Sequence, residues 1–130
     1  MKYLVAAAAL TFGTSLNAEA LTGAELHELC SIEDKAASFA CSSYIVGVWD
    51  GFNYGATLHF LTLHEYGTLE EEVAFRAKMV RACNHDDLTN EGLVEIAKNY
   101  LARTPEVGDF PAISSIQKAV GEAYPCHATD

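Results

Sequence analysis

Residues 39–61 read FACSSYIVGVWDGFNYGATLHFL, and this stretch decides the fold. Its apolar residues recur at intervals of three and four, the spacing that places side chains on one face of an α-helix. A long helix from about Phe39 to Leu61 is therefore predicted. Its apolar side consists of Tyr44, Ile45, Val48, Trp49, Phe52 and Ala56. We expect this helix to form the centre of the hydrophobic core.

Three glycines, Gly47, Gly51 and Gly55, recur every four residues in the same helix and so share one narrow stripe. Each costs roughly 1 kcal/mol of helix stability relative to alanine, which tertiary packing must offset. A GxxxG stripe can join helices in a membrane, but Asp50 and Asn53 argue against a membrane-embedded segment. Close packing of another helix or of a second subunit is the simpler interpretation.

Shorter helices are predicted on both sides of the long one. Two capping boxes, Thr22 with Glu25 and Thr68 with Glu71, mark helix starts. The first helix is expected to span Gly23 to Cys30, followed by a loop from Ser31 to Ser38, and the third helix to reach about Cys83. Apolar periodicity predicts two more, from Thr89 or Asn90 to Thr104 and from Pro111 to Tyr124. No period-two alternation appears, so the predicted fold class is all-α, a small bundle of about five helices.

The N-terminus has the features of a secretory signal. Lys2 precedes a short apolar run that is too short to cross a bilayer, which needs about 20 apolar residues. Small residues then follow at Ala18 and Ala20, where a signal peptidase could cut after either one. We therefore divide the chain into a signal peptide, residues 1–20, and one domain, residues 21–130, and predict a periplasmic location.

All four cysteines, Cys30, Cys41, Cys83 and Cys126, lie in the exported part. An even number in an exported chain predicts disulfides rather than free thiols, and the wide spacing lacks the close ligand pairs of structural zinc sites. Helices that alternate up and down would bring all four cysteines to one end of the bundle. This leaves all three pairings open, with a weak preference for Cys41–Cys83 and Cys30–Cys126.

The chain is acidic, with a formal net charge of −10. The signal peptide holds one residue of each sign, Lys2 and Glu19, so this charge belongs to residues 21–130. Such a domain repels nucleic acid and anionic membranes and favours a basic protein surface. We therefore expect a protein partner, no nucleic acid and no membrane contact after the signal is removed.

The most site-like cluster is His85-Asp86-Asp87, because one histidine and two carboxylates could bind a metal or transfer protons. The same residues also suit a solvated loop before a helix N-terminus. His64-Glu65 lacks the second histidine of a metalloprotease signature. No serine–histidine–acid set and no phosphate-binding loop can be defended, so we predict a binding protein without catalytic residues, metal or cofactor.

Several segments, in this order, resemble the Rap/Tai immunity proteins of type VI secretion systems. They are Leu21–Leu26 with Cys30, a C-x2-Y-x2-G-x2-D-G segment over residues 41–51, Cys83, Thr104-Pro105-Glu106 after a helix, and Pro125-Cys126 at the end. The resemblance covers nearly all of the exported domain. The stretch from Thr57 to Val80 looks longer than the family pattern.

The resemblance implies a periplasmic helical protein, often a homodimer, that blocks the active site of a peptidoglycan amidase effector with a protruding loop. By position, two segments could supply it, the Leu63–Thr68 turn and the Asn84–Asn90 loop. The corresponding candidate partner-binding residues are His64, Glu65, Tyr66, His85, Asp86 and Asp87. Two alternatives are a periplasmic acid-stress chaperone of the HdeA type, which would act by protonation of its many carboxylates, and an envelope scaffold.

Overall fold

A computed structural model describes residues 20–64 and 67–126. The predicted signal peptide, apart from Ala20, thus lies outside the described residues. The described residues contain five α-helices and no β-strand, which confirms the all-α prediction. The helices are α1 (Gly23–Ser31), α2 (Lys35–Leu63), α3 (Leu69–Val80), α4 (Asn90–Arg103) and α5 (Ala112–Ala123), with a 3₁₀ turn at Pro105–Val107. Of these helices, none combines the length and the apolar character needed to cross a membrane.

Side-chain caps determine where most of these helices begin. Thr22 and Thr68 form the two predicted capping boxes at the starts of α1 and α3, and Thr89 caps α4. The α2 helix begins four residues before the predicted Phe39, because the Asp34 carboxylate accepts hydrogen bonds from the backbone N–H groups of Ala36 and Ala37 at 2.9 and 3.1 Å. Part of the predicted Ser31–Ser38 loop is therefore helical.

The α3 helix ends at Val80 rather than near Cys83. Arg81 takes the left-handed conformation at φ 59°, and Asn84 follows with φ 51°. A left-handed residue ends the series of helical hydrogen bonds. Glycine is the usual residue in this conformation, and neither position is a glycine. The chain is thereby turned away from α3 toward the end of α5.

The main core forms around the apolar face of α2. Ile45, Trp49 and Ala56 are buried there, and Tyr44, Val48 and Phe52 pack against them. The neighbouring helices contribute Leu26, Cys30, Leu93, Ala97, Leu101, Ile116 and Val120. The predicted apolar side of the long helix is confirmed. Burial of each large aliphatic side chain contributes about 1.5–3 kcal/mol, so this cluster supplies most of the drive for folding.

The second half of α2 and the whole of α3 form a hairpin that extends from the bundle. With 29 residues, α2 is about 43 Å long, roughly twice the length of α4. The last α2 residue in the main core is Ala56, and Val80 is the only buried residue of α3. The α3 helix packs chiefly against α2. We call residues 56–64 and 67–80 the α2–α3 hairpin, and its far end, residues 61–64 and 67–69, the hairpin tip.

Two disulfides join Cys30 to Cys41 and Cys83 to Cys126, so the preferred pairing of Cys41 with Cys83 was wrong. Only three residues separate α1 from α2, which folds α2 back on α1 and brings Cys30 beside Cys41. In the chain-entropy model the closed loops of 11 and 43 residues correspond to about 3 and about 4 kcal/mol of stabilisation.

The four cysteines do not share one end of the bundle, contrary to the prediction. Cys41 lies in the second turn of α2, whereas Cys83 and Cys126 line a cavity together with Phe60. Phe60 is about 28 Å farther along the α2 axis than Cys41. The cause is the length of α2, which continues well past the level at which α1 meets it.

The glycine stripe faces away from the core. A methyl group placed at Gly47, Gly51 or Gly55 would meet no atom within 4 Å beyond the adjacent helix backbone. The expectation that another helix of this chain packs on the stripe is therefore wrong for the described residues. The stripe is exposed, as a contact with a second subunit would require.

The disulfide pairing predicts a specific peptide map. Trypsin cleaves after Lys35 and Arg81, among other sites, and without reduction we expect the peptide ending at Lys35 to be joined to residues 36–76. Residues 82–98 should be joined to residues 119–130. Mass spectrometry of the digest checks this. A peptide pair joining residues 36–76 to residues 82–98 would contradict the structure.

Glycine-to-alanine substitutions should lower stability where another part of the chain packs closely against the glycine, and not where the glycine has space around it. A Cβ at Gly121 of α5 would lie 2.8 Å from the carbonyl oxygen of Arg81, so Gly121→Ala should cost about 1–3 kcal/mol. A Cβ at Gly92 of α4 would make only ordinary contacts, at 3.4 Å or more. Gly92→Ala should therefore raise the free energy of unfolding, by at most about 1 kcal/mol. Urea unfolding measures both free energies. Equal effects would refute the described packing of α5 on Arg81.

Candidate functional site

The hairpin tip exposes large apolar side chains. Leu61, Leu63 and Leu69 are 58%, 59% and 75% exposed. Single exposed leucines are common, but these three all lie at the far end of the hairpin, and Leu61 and Leu63, two residues apart on α2, point to different sides of it. Of the predicted residues at this turn, Glu65 and Tyr66 lie outside the described residues. The sequence analysis missed the apolar tip, because Leu61 ends the predicted helix beyond its last predicted core residue, Ala56, and Leu63 begins the predicted turn.

A capping box fixes the start of α3, and one hydrogen bond joins α3 to α2. The Glu71 carboxylate accepts hydrogen bonds from the N–H and the hydroxyl of Thr68 at 2.8 and 3.1 Å, and these bonds lower the pKa of Glu71. The hydroxyl of Thr57 on α2 donates to the carboxylate of Glu72 on α3 at 3.0 Å. Two of the three consecutive glutamates are thus engaged within the hairpin itself, while Glu70 is exposed at the first turn of α3.

Aromatic and histidine rings fill the seam between α2 and α3. His64 stacks on Phe60 with ring centroids 4.6 Å apart, and His59 stacks on Phe75 at 5.6 Å. Phe60 and Phe75 also contact each other at 5.7 Å. A Cβ at Gly67 would lie 2.3 Å from the Phe60 ring, so only glycine allows this approach. These contacts pack α3 against the second half of α2 and cover one face of the His64 ring.

An open cavity of about 550 Å³ lies beside this seam. Phe60 and His64 from α2, Phe75 and Lys78 from α3, and the two cysteines of the Cys83–Cys126 disulfide are among the residues that line it. The cavity extends the apolar surface of the hairpin toward the main body.

His85 is turned into the protein rather than presented on a loop. Its ring makes edge contacts with Trp49 at 5.3 Å and with Tyr124 at 6.4 Å. Burial, followed by the nearby Arg76 cation, lowers the pKa of His85 from its ordinary value of 6.5. Asp86 and Asp87 remain exposed. The histidine is thus partly enclosed by rings while the two carboxylates face solvent, although Asp86 still acts on the charge of His85 and Asp87 on the hydroxyl of Tyr124.

The two groups of predicted partner-binding residues are separated along α2. His64 packs on Phe60, and His85 packs on Trp49, which lies 11 residues or about 16 Å earlier on the helix axis. A single contact made by the tip would not include His85. Within residues 20–64 and 67–126, no group of three potential ligands is arranged to hold a metal ion.

A second exposed surface runs along the outer side of α2. It begins at Gly47 and Gly51 and continues with Tyr54, Leu58 and Leu61, which follow at helical spacing and are all exposed. We call this the α2 outer face. Beside its first half lies a groove of about 910 Å³ between α2 and α4, with Val46 and Val94 among its lining residues.

Comparison with known protein families identifies the family of this chain. A family model described as Rap1a immunity proteins matches residues 22–126, a span that includes all five helices and both disulfides. No curated protein and no solved structure matches the chain.

Proposed function

Because the chain belongs to the Rap1a immunity protein family, we propose that it is a periplasmic inhibitor that binds a peptidoglycan amidase effector and blocks its active site. Family membership implies immunity against a type VI effector, and therefore a protein partner. Immunity proteins of this kind act by binding rather than by catalysis. The amidase activity of the partner, the compartment and the mode of blocking belong to the proposal.

The observation that supports this mode of blocking is the protruding α2–α3 hairpin. Catalytic clefts are concave and largely apolar, so a convex apolar tip is the matching shape. Leu61, Leu63 and Leu69 supply the apolar surface, and the ring contacts at the seam keep the arm rigid before binding. A preorganised arm loses little entropy when the complex forms.

The Leu63–Thr68 turn is a better candidate for the blocking segment than the Asn84–Asn90 loop. The latter follows the Cys83–Cys126 disulfide, its His85 is inserted between Trp49 and Tyr124, and its Leu88 packs against the main core. A segment held at three points against the bundle cannot reach into a partner. The turn stands at the end of a two-helix arm.

The acidic net charge and the features typical of an exported protein also support the proposal of a periplasmic inhibitor. The net charge of −10 would steer the domain toward a basic effector and raise the rate of encounter. Two disulfides are typical of proteins that fold in an oxidising compartment such as the periplasm. The signal-like residues 1–20 would deliver the domain there.

We further propose that the α2 outer face joins two copies of the protein. Gly47, Gly51 and Gly55 have open space where a Cβ would be, so a second helix can approach the α2 backbone closely there. A second copy of α2 offers the same stripe, as the twofold symmetry of a homodimer requires. Packing between the two subunits would then offset the helix stability that the three glycines cost.

Substitutions at the tip should weaken effector binding without unfolding the protein. Leu63→Asp and Leu69→Asp place a charge in the proposed apolar contact, and each should weaken binding at least tenfold, or about 1.4 kcal/mol. Binding to the amidase encoded by a neighbouring gene can be measured by calorimetry, together with peptidoglycan cleavage. The matched control is Phe39→Asp, because Phe39 is 73% exposed near the opposite end of α2.

Two outcomes would contradict this proposal. One is equal loss of binding in the control and in the tip variants. The other is an absence of amidase binding combined with suppression of client aggregation only at about pH 2–3, below the reference carboxylate pKa values, which is the behaviour of an acid-stress chaperone.

The homodimer makes a separate prediction. Gly51→Leu adds a bulky side chain to the middle of the α2 outer face and should convert a dimer into a monomer, as measured by sedimentation equilibrium. Ala123→Leu adds a similar side chain at an exposed position of α5 and should leave the mass unchanged. A wild-type protein that sediments as a monomer would refute this interface, while the inhibitory role of the tip would stand.

A further inference from the structure

His85 joins the base of the α2–α3 hairpin to the bundle. It lies two residues after Cys83, whose N–H donates a hydrogen bond to the carbonyl oxygen of Tyr124 at 3.0 Å. Its ring fits between the indole of Trp49 on α2 and the phenol of Tyr124 after α5, with edge contacts of 5.3 and 6.4 Å. The chain leaving α3 is therefore attached to two other parts of the molecule through one imidazole ring.

One nitrogen of this ring has no partner. The Nδ1 atom of His85 is buried and makes no hydrogen bond. In a neutral imidazole this atom can be the unprotonated acceptor, and leaving a neutral acceptor unpaired has a modest cost. In an imidazolium both nitrogens carry protons, so Nδ1 would become a buried charged donor that makes no hydrogen bond of normal geometry in this position, which is more expensive. The position thus favours the neutral ring.

The surrounding charges act in both directions. From α3, the Arg76 guanidinium repels an imidazolium, while the adjacent Asp86 carboxylate and the Ala82 carbonyl attract one. Trp49 and Tyr124 contribute uncharged rings, and Asp87 acts on the Tyr124 hydroxyl. Burial is the largest influence, and together with Arg76 it outweighs the attraction and keeps the pKa of His85 below 6.5.

We propose that His85 is a pH-sensitive latch, seated between Trp49 and Tyr124 when neutral and released when protonated, so that acid loosens residues 82–88 at the base of the hairpin. A released imidazole has its ordinary pKa of 6.5, and the seated one has a lower pKa. Between these two values the released state binds more protons. Stability of the seated state is therefore full above pH 6.5 and is lost as the pH falls below it.

The latch deepens the proposed function, because the hairpin that it fastens also carries the turn proposed to block the effector. If both hold, acid would weaken inhibition by loosening the arm rather than by changing the tip. The test needs no partner, so failure of the latch and failure of effector binding are separate results.

The experiment follows His85 and Trp49 by nuclear magnetic resonance between pH 8 and pH 5 in the disulfide-bonded protein. Trp49 is the only tryptophan of the chain, so its indole signal is unambiguous. We expect the His85 ring to titrate with a midpoint below 6.5 and the Trp49 signal to shift with the same midpoint. Hydrogen exchange at residues 82–88, corrected for its intrinsic pH dependence, should accelerate severalfold over this range, while that of α4 does not.

Two variants provide the controls. His85→Phe keeps a ring between Trp49 and Tyr124 but cannot take a proton, so the Trp49 shift and the accelerated exchange should disappear; His85→Gln serves the same purpose if the phenylalanine does not fit. His27→Gln removes an exposed histidine of α1 and should leave both responses intact. A midpoint at or above 6.5, or a Trp49 response that survives in His85→Phe or His85→Gln, would overturn the latch.

Discussion

Burial of one face of α2 is the constraint on which the rest of the structure depends. The other helices of the bundle pack on Ile45, Trp49 and Ala56, and none has enough apolar surface to fold alone. Because α2 is about twice as long as α4, its second half extends past the bundle and needs its own partner, which α3 provides. The protruding arm is therefore a direct result of helix length. The same helix, on its opposite side, carries the exposed glycines.

The sequence was sufficient for those features that depend on neighbouring residues. The capping boxes at Thr22 and Thr68 were found because their partners lie three residues away, and the core face of α2 because helical periodicity repeats several times. The start of α2 was misplaced because Lys35 to Ser38 carry no apolar signal and only the Asp34 cap marks the beginning. The end of α3 at the left-handed Arg81 was not predicted, because no glycine marks that position in the sequence.

Features that depend on distant parts of the chain could not be derived in this way. The pairing of Cys83 with Cys126 follows from where α3 ends and how the chain crosses to Tyr124, and neither fact is encoded locally. His85 looked like a loop residue beside two carboxylates because its contacts, Trp49 and Tyr124, are 36 and 39 residues away in sequence. The apolar tip was overlooked for another reason: exposed leucines resemble core leucines until the length of the arm is known.

The two disulfides divide the chain into covalently closed segments, and the α2–α3 hairpin belongs to neither. One bridge closes residues 30–41 and the other closes residues 83–126, so residues 42–82 are the only covalent link between them. A protease that cut the exposed tip would leave two pieces held together by packing alone. A single cut between residues 84 and 125 would leave all parts of the molecule covalently joined. The arm that extends past the bundle is thus also the segment in which a single backbone cut would divide the molecule into two covalently separate pieces.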